Sequence, residues 1–206
     1  MAPSGSGASK RSRLSNSGAQ PDPVEPVALP EAVLTFWFEE IEPKQWWAVD
    51  PDFDALVRTR FHERLRQAVA GELWSWRTSV RGRLAEVIVL DQFSRNIHRG
   101  TPDAFAQDPQ ALALSQEAVA GGALQALDEA GRTFLLLPYM HSESRLIHVE
   151  AEPLFRQFAP PQNYDFELRH KAIIDRFGRY PHRNAILSRT SSAEELVFLG
   201  QPGSSF

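Results

Sequence analysis

The sequence predicts an all-α fold, and three observations carry that reading. Apolar residues recur at helical spacing from residue 31 onward. Asp50-Pro51 and Asp108-Pro109 each join a capping side chain to a proline suited to a first helical turn. No pair of alternating strands with a hairpin turn between them stands out. About eight helices joined by short loops follow from this, as connection lengths in compact domains allow.

The elements can be taken in order. Pro30 suits a first turn, and residues 31–40 carry Val33, Leu34, Trp37 and Phe38 on a helical period. Asp50 reads as an N-cap for a helix running through Phe53, Leu56, Val57, Phe61 and Leu65 to Gly71. Residues 83–93 are apolar over too wide an arc for a surface helix and so predict a central one; the β-branched run Val87-Ile88-Val89 makes a buried strand the competing reading. Asp108 is expected to cap a helix closed by Gly121-Gly122, and another helix is expected over 124–137, ending before Pro138. Ser142 is expected to cap a helix reaching Phe158 with a disturbance at Pro153, and 163–177 forms the next, stopped by Gly178. Ser191 and Ser192, with Glu194 and Glu195, form overlapping capping boxes for a last helix ending at Gly200.

At 206 residues the chain has the length for one well-buried core, which places a single helical domain over 28–206. Residues 1–27 are rich in Ser, Gly and Pro and predict a disordered tail. Lys10, Arg11 and Arg13 without acidic neighbours through Gln20 faintly resemble a transit peptide, against which the glycines and the lack of amphipathic period argue. The tail lacks the apolar block of a secretory signal, and no apolar run approaches the roughly 18 residues of a membrane span, so a cytoplasmic protein without membrane partners is expected. With no cysteine, thiolate chemistry, disulfides and cysteine-held metals are excluded. A net charge of -4 gives no general drive toward nucleic acid.

Three polar segments break the apolar pattern: Asp91-Gln92-Phe93-Ser94-Arg95-Asn96-Ile97-His98-Arg99-Gly100, Pro138-Tyr139-Met140-His141-Ser142-Glu143 and Arg176-Phe177-Gly178-Arg179-Tyr180-Pro181-His182-Arg183-Asn184. Such residues enter a core at a cost unless they find partners, so the segments are expected to meet in one constellation. Together with Leu90, Leu137 and Thr101-Pro102, these phrases resemble the domain-of-unknown-function 924 family over roughly residues 34–199. The resemblance implies a tetratricopeptide-like right-handed array of antiparallel helix pairs around a groove. The chain itself shows no 34-residue period. The family brings no established reaction or cofactor.

Asp91 with Arg95 and Gln92 with Asn96 are spaced to share helix faces, either as a salt bridge and loop anchors or as part of a site. Arg95, Arg99, Arg176, Arg179 and Arg183, with Gln92, Asn96 and Asn184, suit a groove for an anionic small molecule or a peptide carboxylate, because guanidinium forks match such groups. The alternative is that these arginines cap helix carbonyls or pair with internal acids. Asp91, His141, Glu143 and His182 are candidates for acid–base work in a small-molecule hydrolase or isomerase, with His141 and Glu143 the best pair. A metal held by His141, Glu143 and His182 lacks a ligand-spacing motif, so no metal or cofactor is expected. A structural interaction module is the third reading. Trp46-Trp47 and the Trp74 and Trp76 pair read as groove walls or core packing. The oligomeric state is left open.

Overall fold

Local chemistry sets most of the helix starts. The computed structural model describes Met1 and residues 29–205, so the expected tail lies outside the described residues apart from Met1. Helix α1 (Glu31–Thr35) runs directly into a π turn, Phe36–Glu40. Helix α2 (Pro51–Val69) begins where the Asp50 carboxylate accepts from the Asp52 and Phe53 amides at 2.9 and 3.2 Å, and Pro51 occupies the first turn. Helix α3 (Val80–Ile88) is capped by Ser79 and continues without a break through a second π turn, Val89–Phe93, into α4 (Ser94–Ile97).

Next come α5 (Asp108–Ala120), the short α6 (Ala123–Ala126), α7 (Glu129–Met140), α8 (Arg145–Phe158), α9 (Pro161–Phe177) and α10 (Ala193–Leu199). The described residues contain no strand, so the Val87-Ile88-Val89 run is helical. The fold is all-α. Tertiary burial overrides β-propensity here: Leu84, Ala85, Val87, Ile88, Val89 and Leu90 are all within 2% of complete burial, and α3 touches α1, α5 and α7. Its π turn touches α2 and α5. Phe36, Trp37, Phe53, Phe61, Phe93 and Phe134 fill the space between these helices with tilted and edge-on rings.

Several boundaries differ from expectation for physical reasons. Asp108 does not cap α5; it is the first helical residue, Gln107 precedes it without a side-chain cap, and the Asp108 carboxylate points to arginines instead. The helix expected over 124–137 is two helices, because Asp128 accepts from the Gly131 amide at 2.8 Å and starts α7 afresh. Helix α7 then passes through Pro138 to Met140, with Pro138 buried in its last turn, so packing outweighs the lost hydrogen bond. Ser142 does not cap α8; Ser144 is the N-cap residue and makes no side-chain cap bond. Helix α9 starts at Pro161, two residues early, and ends at Gly178, whose φ of 70° is the left-handed form that glycine adopts without strain. Of the two capping boxes, Ser192 with Glu195 forms. Helix α8 packs between α7 and α9, which brings the segments after α7 and α9 together.

Candidate functional site

Asp91 lies in the π turn that ends the central helix, and its side chain is 1% exposed. A π turn inserts one residue into the helical ladder and so re-aims the side chains beyond it. Arg95 reaches back to Asp91 twice, to the backbone carbonyl at 2.8 Å and to Oδ1 at 3.0 Å. Gln92 donates to the other carboxylate oxygen. Burial alone would raise the Asp91 carboxyl, but the charge of Arg95 and the contacts of His141 and Gln92 outweigh it and hold the group far below the ordinary carboxylate range.

His141 follows the last turn of α7, and its Nδ1 lies 2.7 Å from Asp91 Oδ1. Burial, reinforced by Arg95, lowers the imidazole below its ordinary value, so the ring is neutral at neutral pH. Because Asp91 is ionised it can only accept, and Nδ1 therefore carries the proton. Nε2 is left with its lone pair, and it has no hydrogen-bond partner among the described residues. The side chain as a whole is 16% exposed.

Two arginines converge on Asp108 beside this pair. Arg95 Nη1 stands 2.9 Å from Oδ1, and Arg183 Nη1 donates to Oδ2 at 3.1 Å. Arg183 also donates to the His141 carbonyl at 3.1 Å and lies over the rings of Phe105 and Tyr180 at 4.5 and 4.7 Å. Burial and the nearby Arg95 charge lower the Arg183 guanidinium. The backbone around His141 is tied down on both sides. The Tyr180 hydroxyl donates to the Met140 carbonyl, and His148 Nε2 donates to the Ser142 carbonyl at 2.9 Å. His148 is completely buried, with its Nδ1 2.7 Å from Glu167 Oε1.

Glu143 does not pair with His141. It accepts from the Tyr180 amide at 2.7 Å and takes both arms of Arg189 at 2.6 and 2.9 Å, and these contacts outweigh burial and lower its carboxyl. The carboxylate of the histidine pair is Asp91. His182 sits with its ring 5.6 Å from Tyr180, and burial with the charge of Arg183 lowers it to about 4. Gln92 and Asn96 do not work as a pair, since Asn96 donates to Asp54 Oδ1 on α2 at 2.8 Å. Arg99 takes both oxygens of the same Asp54. Asn184 donates to Ser191 and accepts from Arg189.

Arg176 pairs with Glu194 near the surface, and Arg179 takes both oxygens of Glu195 and the Thr190 carbonyl. Each of the five candidate arginines thus faces a carboxylate. The arginine that caps the end of α9 is Arg145, through the Ile174 and Asp175 carbonyls. The three segments therefore meet at Asp91, Arg95, His141 and Arg183, while Arg99, Arg176 and Arg179 serve other pairs. Sequence reasoning missed Asp54, Asp108, Arg189 and the His148–Glu167 pair. Asp108 was masked by its capping signature, and the others sit in unremarkable helical or loop contexts.

Two clefts lie apart from the pair. Ser94 and His98 line one of 220 Å³ against His62 and Leu65 of α2, and Trp46, Trp47 and Phe134 line another of 170 Å³. Among the described residues no group of three or more His, Asp or Glu side chains is placed to hold a metal ion, and no helix is long and apolar enough to cross a membrane.

No curated protein matches this sequence. In three dimensions the chain is similar to a solved structure of a protein of unknown function, ATU0120 from Agrobacterium tumefaciens. The two share 34% identity and a TM-score of 0.79, over 83% of this chain and 96% of that one. Residues 33–203 match the family described as bacterial protein of unknown function, DUF924. With nearly all of its helical part matched, the chain belongs to the DUF924 family.

Proposed function

We propose that the protein is an enzyme in which His141, oriented by Asp91, acts as a general base on a small molecule. The observation that carries this reading is the 2.7 Å contact between His141 Nδ1 and a buried, ionised Asp91, which leaves Nε2 with a lone pair and no protein partner. A neutral imidazole in this tautomer accepts a proton at Nε2, and the carboxylate stabilises the imidazolium that forms. No hydroxyl nucleophile is hydrogen-bonded to Nε2 among the described residues, so the proton comes from a water or from the substrate itself. Hydrolysis and proton abstraction next to a carbonyl both fit. Arg95 and Arg183 border the pair, and both are held by Asp108.

The arginine set speaks less for capture of an anionic small molecule or peptide carboxylate. Each guanidinium is already opposed by an acid, so an incoming anion would compete with a partner in place. The test is a screen of wild type and His141→Gln against activated esters, amides and isomerisable carbonyl compounds, with the His141 tautomer read by nitrogen NMR. General-base catalysis contributes about 10²–10⁴-fold, so His141→Gln should lose at least a hundredfold on any substrate found. An Nε2-protonated or cationic His141 at pH 7 removes the base and ends the proposal.

A further inference from the structure

The turn that carries His141 is held by its carbonyl oxygens. Three in succession each take one side-chain donor: the Tyr180 hydroxyl on Met140, Arg183 Nη2 on His141 and His148 Nε2 on Ser142. Tyr180 and Arg183 come from the segment after α9, whereas His148 comes from α8 and is itself held by Glu167 of α9. His148 Nε2 also lies 3.3 Å from the Tyr180 hydroxyl, so the two donors lock each other. Both His148 and Glu167 are completely buried.

Donor and acceptor rules fix where the protons lie. A carbonyl only accepts, so His148 Nε2 carries a hydrogen. Nδ1 then stands 2.7 Å from Glu167 Oε1, and a contact that short between two acceptors needs a proton of its own. Glu167 is the place for it. Among the described residues no lysine or arginine is hydrogen-bonded to its carboxyl, since the Lys171 ammonium is taken by Asp175 at 2.6 Å, and the second oxygen, Oε2, is buried without a partner. An ionised carboxylate so placed is costly, and burial raises the Glu167 carboxyl. The protonated acid donates to Nδ1 and leaves only a neutral oxygen unmet, the cheaper arrangement.

We propose that Glu167 and His148 are positioning residues for His141, a role that rests on His141 being the general base. A protonated Glu167 fixes the neutral His148 as an Nε2 donor, and that donor holds the Ser142 carbonyl and with it the turn that presents the base. The chain thus uses one acid–imidazole pairing twice, in opposite protonation states. Asp91, beside Arg95, is ionised and accepts the Nδ1 hydrogen of His141, which makes Nε2 an acceptor. Glu167, without such a cation, keeps its proton and donates it to His148 Nδ1, which makes Nε2 a donor.

The experiment is ring-nitrogen NMR and hydrogen exchange at pH 7 on the full-length, nitrogen-15-labelled protein, as wild type, Glu167→Gln and the double variant His148→Phe with Glu167→Leu. In the wild type His148 should carry hydrogen on Nε2 alone and His141 on Nδ1 alone. Glu167→Gln keeps a donor to Nδ1 in its amide, so both tautomers and the exchange at His141 should stay as they are. The double variant replaces both partners by apolar groups, which leaves no buried carboxyl unpaired but takes the donor from Ser142. There the His141 Nδ1 hydrogen should exchange with water about tenfold faster, the change in local opening that one lost hydrogen bond implies, while the α3 amides keep their wild-type rates. Hydrogen on Nδ1 of His148 in the wild type overturns the proposal without any variant. So do unchanged His141 exchange in the double variant, equally fast exchange in Glu167→Gln, and a double variant that unfolds or speeds α3 as much as His141, which would show architecture alone. Hydrogen on Nε2 of wild-type His141 is the separate result that ends the general-base reading and this role with it.

Discussion

His141 Nδ1 meets Asp91 Oδ1 at 2.7 Å although the two residues are 50 positions apart, one at the end of the central helix and one at the end of α7. The contact exists because α3 and α7 pack side by side, and it is held from behind by Arg95 and Gln92. Asp91→Asn should therefore cost about 3–5 kcal/mol, since it leaves the buried Arg95 charge short of a partner. Urea unfolding measures it. A loss below about 1 kcal/mol would mean that Asp108 alone satisfies Arg95.

The arginines should separate sharply by burial. Arg176→Ala removes a pair whose side chains are 47% and 64% exposed, and should change stability by less than about 1 kcal/mol. Arg183→Ala strips Asp108 of one of its two cations and uncovers two rings, and should cost about 3 kcal/mol or more. Arg183→Lys should recover little, because a point charge cannot serve Asp108, the His141 carbonyl and two ring faces together. Equal melting temperatures for the two alanine variants would contradict the geometry.

Gly82 is needed for space, not for backbone freedom. A Cβ there would stand 2.0 Å from the Trp76 carbonyl oxygen, an atom of rigid backbone. Gly82→Ala should destabilise at or above the top of the ~1–3 kcal/mol range for overpacking, despite alanine being the better helix former. Thermal unfolding decides, and a stabilised variant would show that the turn before α3 can move away.

Stability should fall on acidification from about pH 7. Unfolded imidazoles take up protons near 6.5. In the fold, burial lowers His141, brings His182 to about 4 together with the charge of Arg183, and brings His170 to about 3. Between those values the unfolded chain binds more protons, so stability is full above about 6.5 and is lost as pH drops toward the folded values. Glu167, raised by burial, works the other way, one group against three. Urea midpoints at pH 7, 6 and 5 should decrease in that order; a flat series would show that these histidines protonate within the fold.

Much of the fold could be read from residues alone. The breadth of the apolar arc at residues 84–90 marked α3 as central, and Asp50-Pro51, Gly178 and the Ser192–Glu195 box ended or started helices as side-chain chemistry requires. The helix through Pro138 could not be read, because the packing that offsets the lost hydrogen bond comes from neighbours distant in sequence. The polar segments announced themselves by being polar where the pattern asked for apolar residues. Their partners did not: a carboxylate such as Asp108, in a first helical turn, looks the same whether it caps a helix or balances two arginines.

The π turn at Val89–Phe93 gives the central helix two angular phases. Up to Ile88 the rotation is timed to the apolar core; one extra residue then offsets everything after it by about 100°, the rotation per residue of an α-helix. Removing Val89 or Leu90 would restore an unbroken ladder and yet swing Asp91, Arg95 and Asn96 together away from His141, Asp108 and Asp54. Here the chain keeps the less regular winding, where regularity would disconnect its charges.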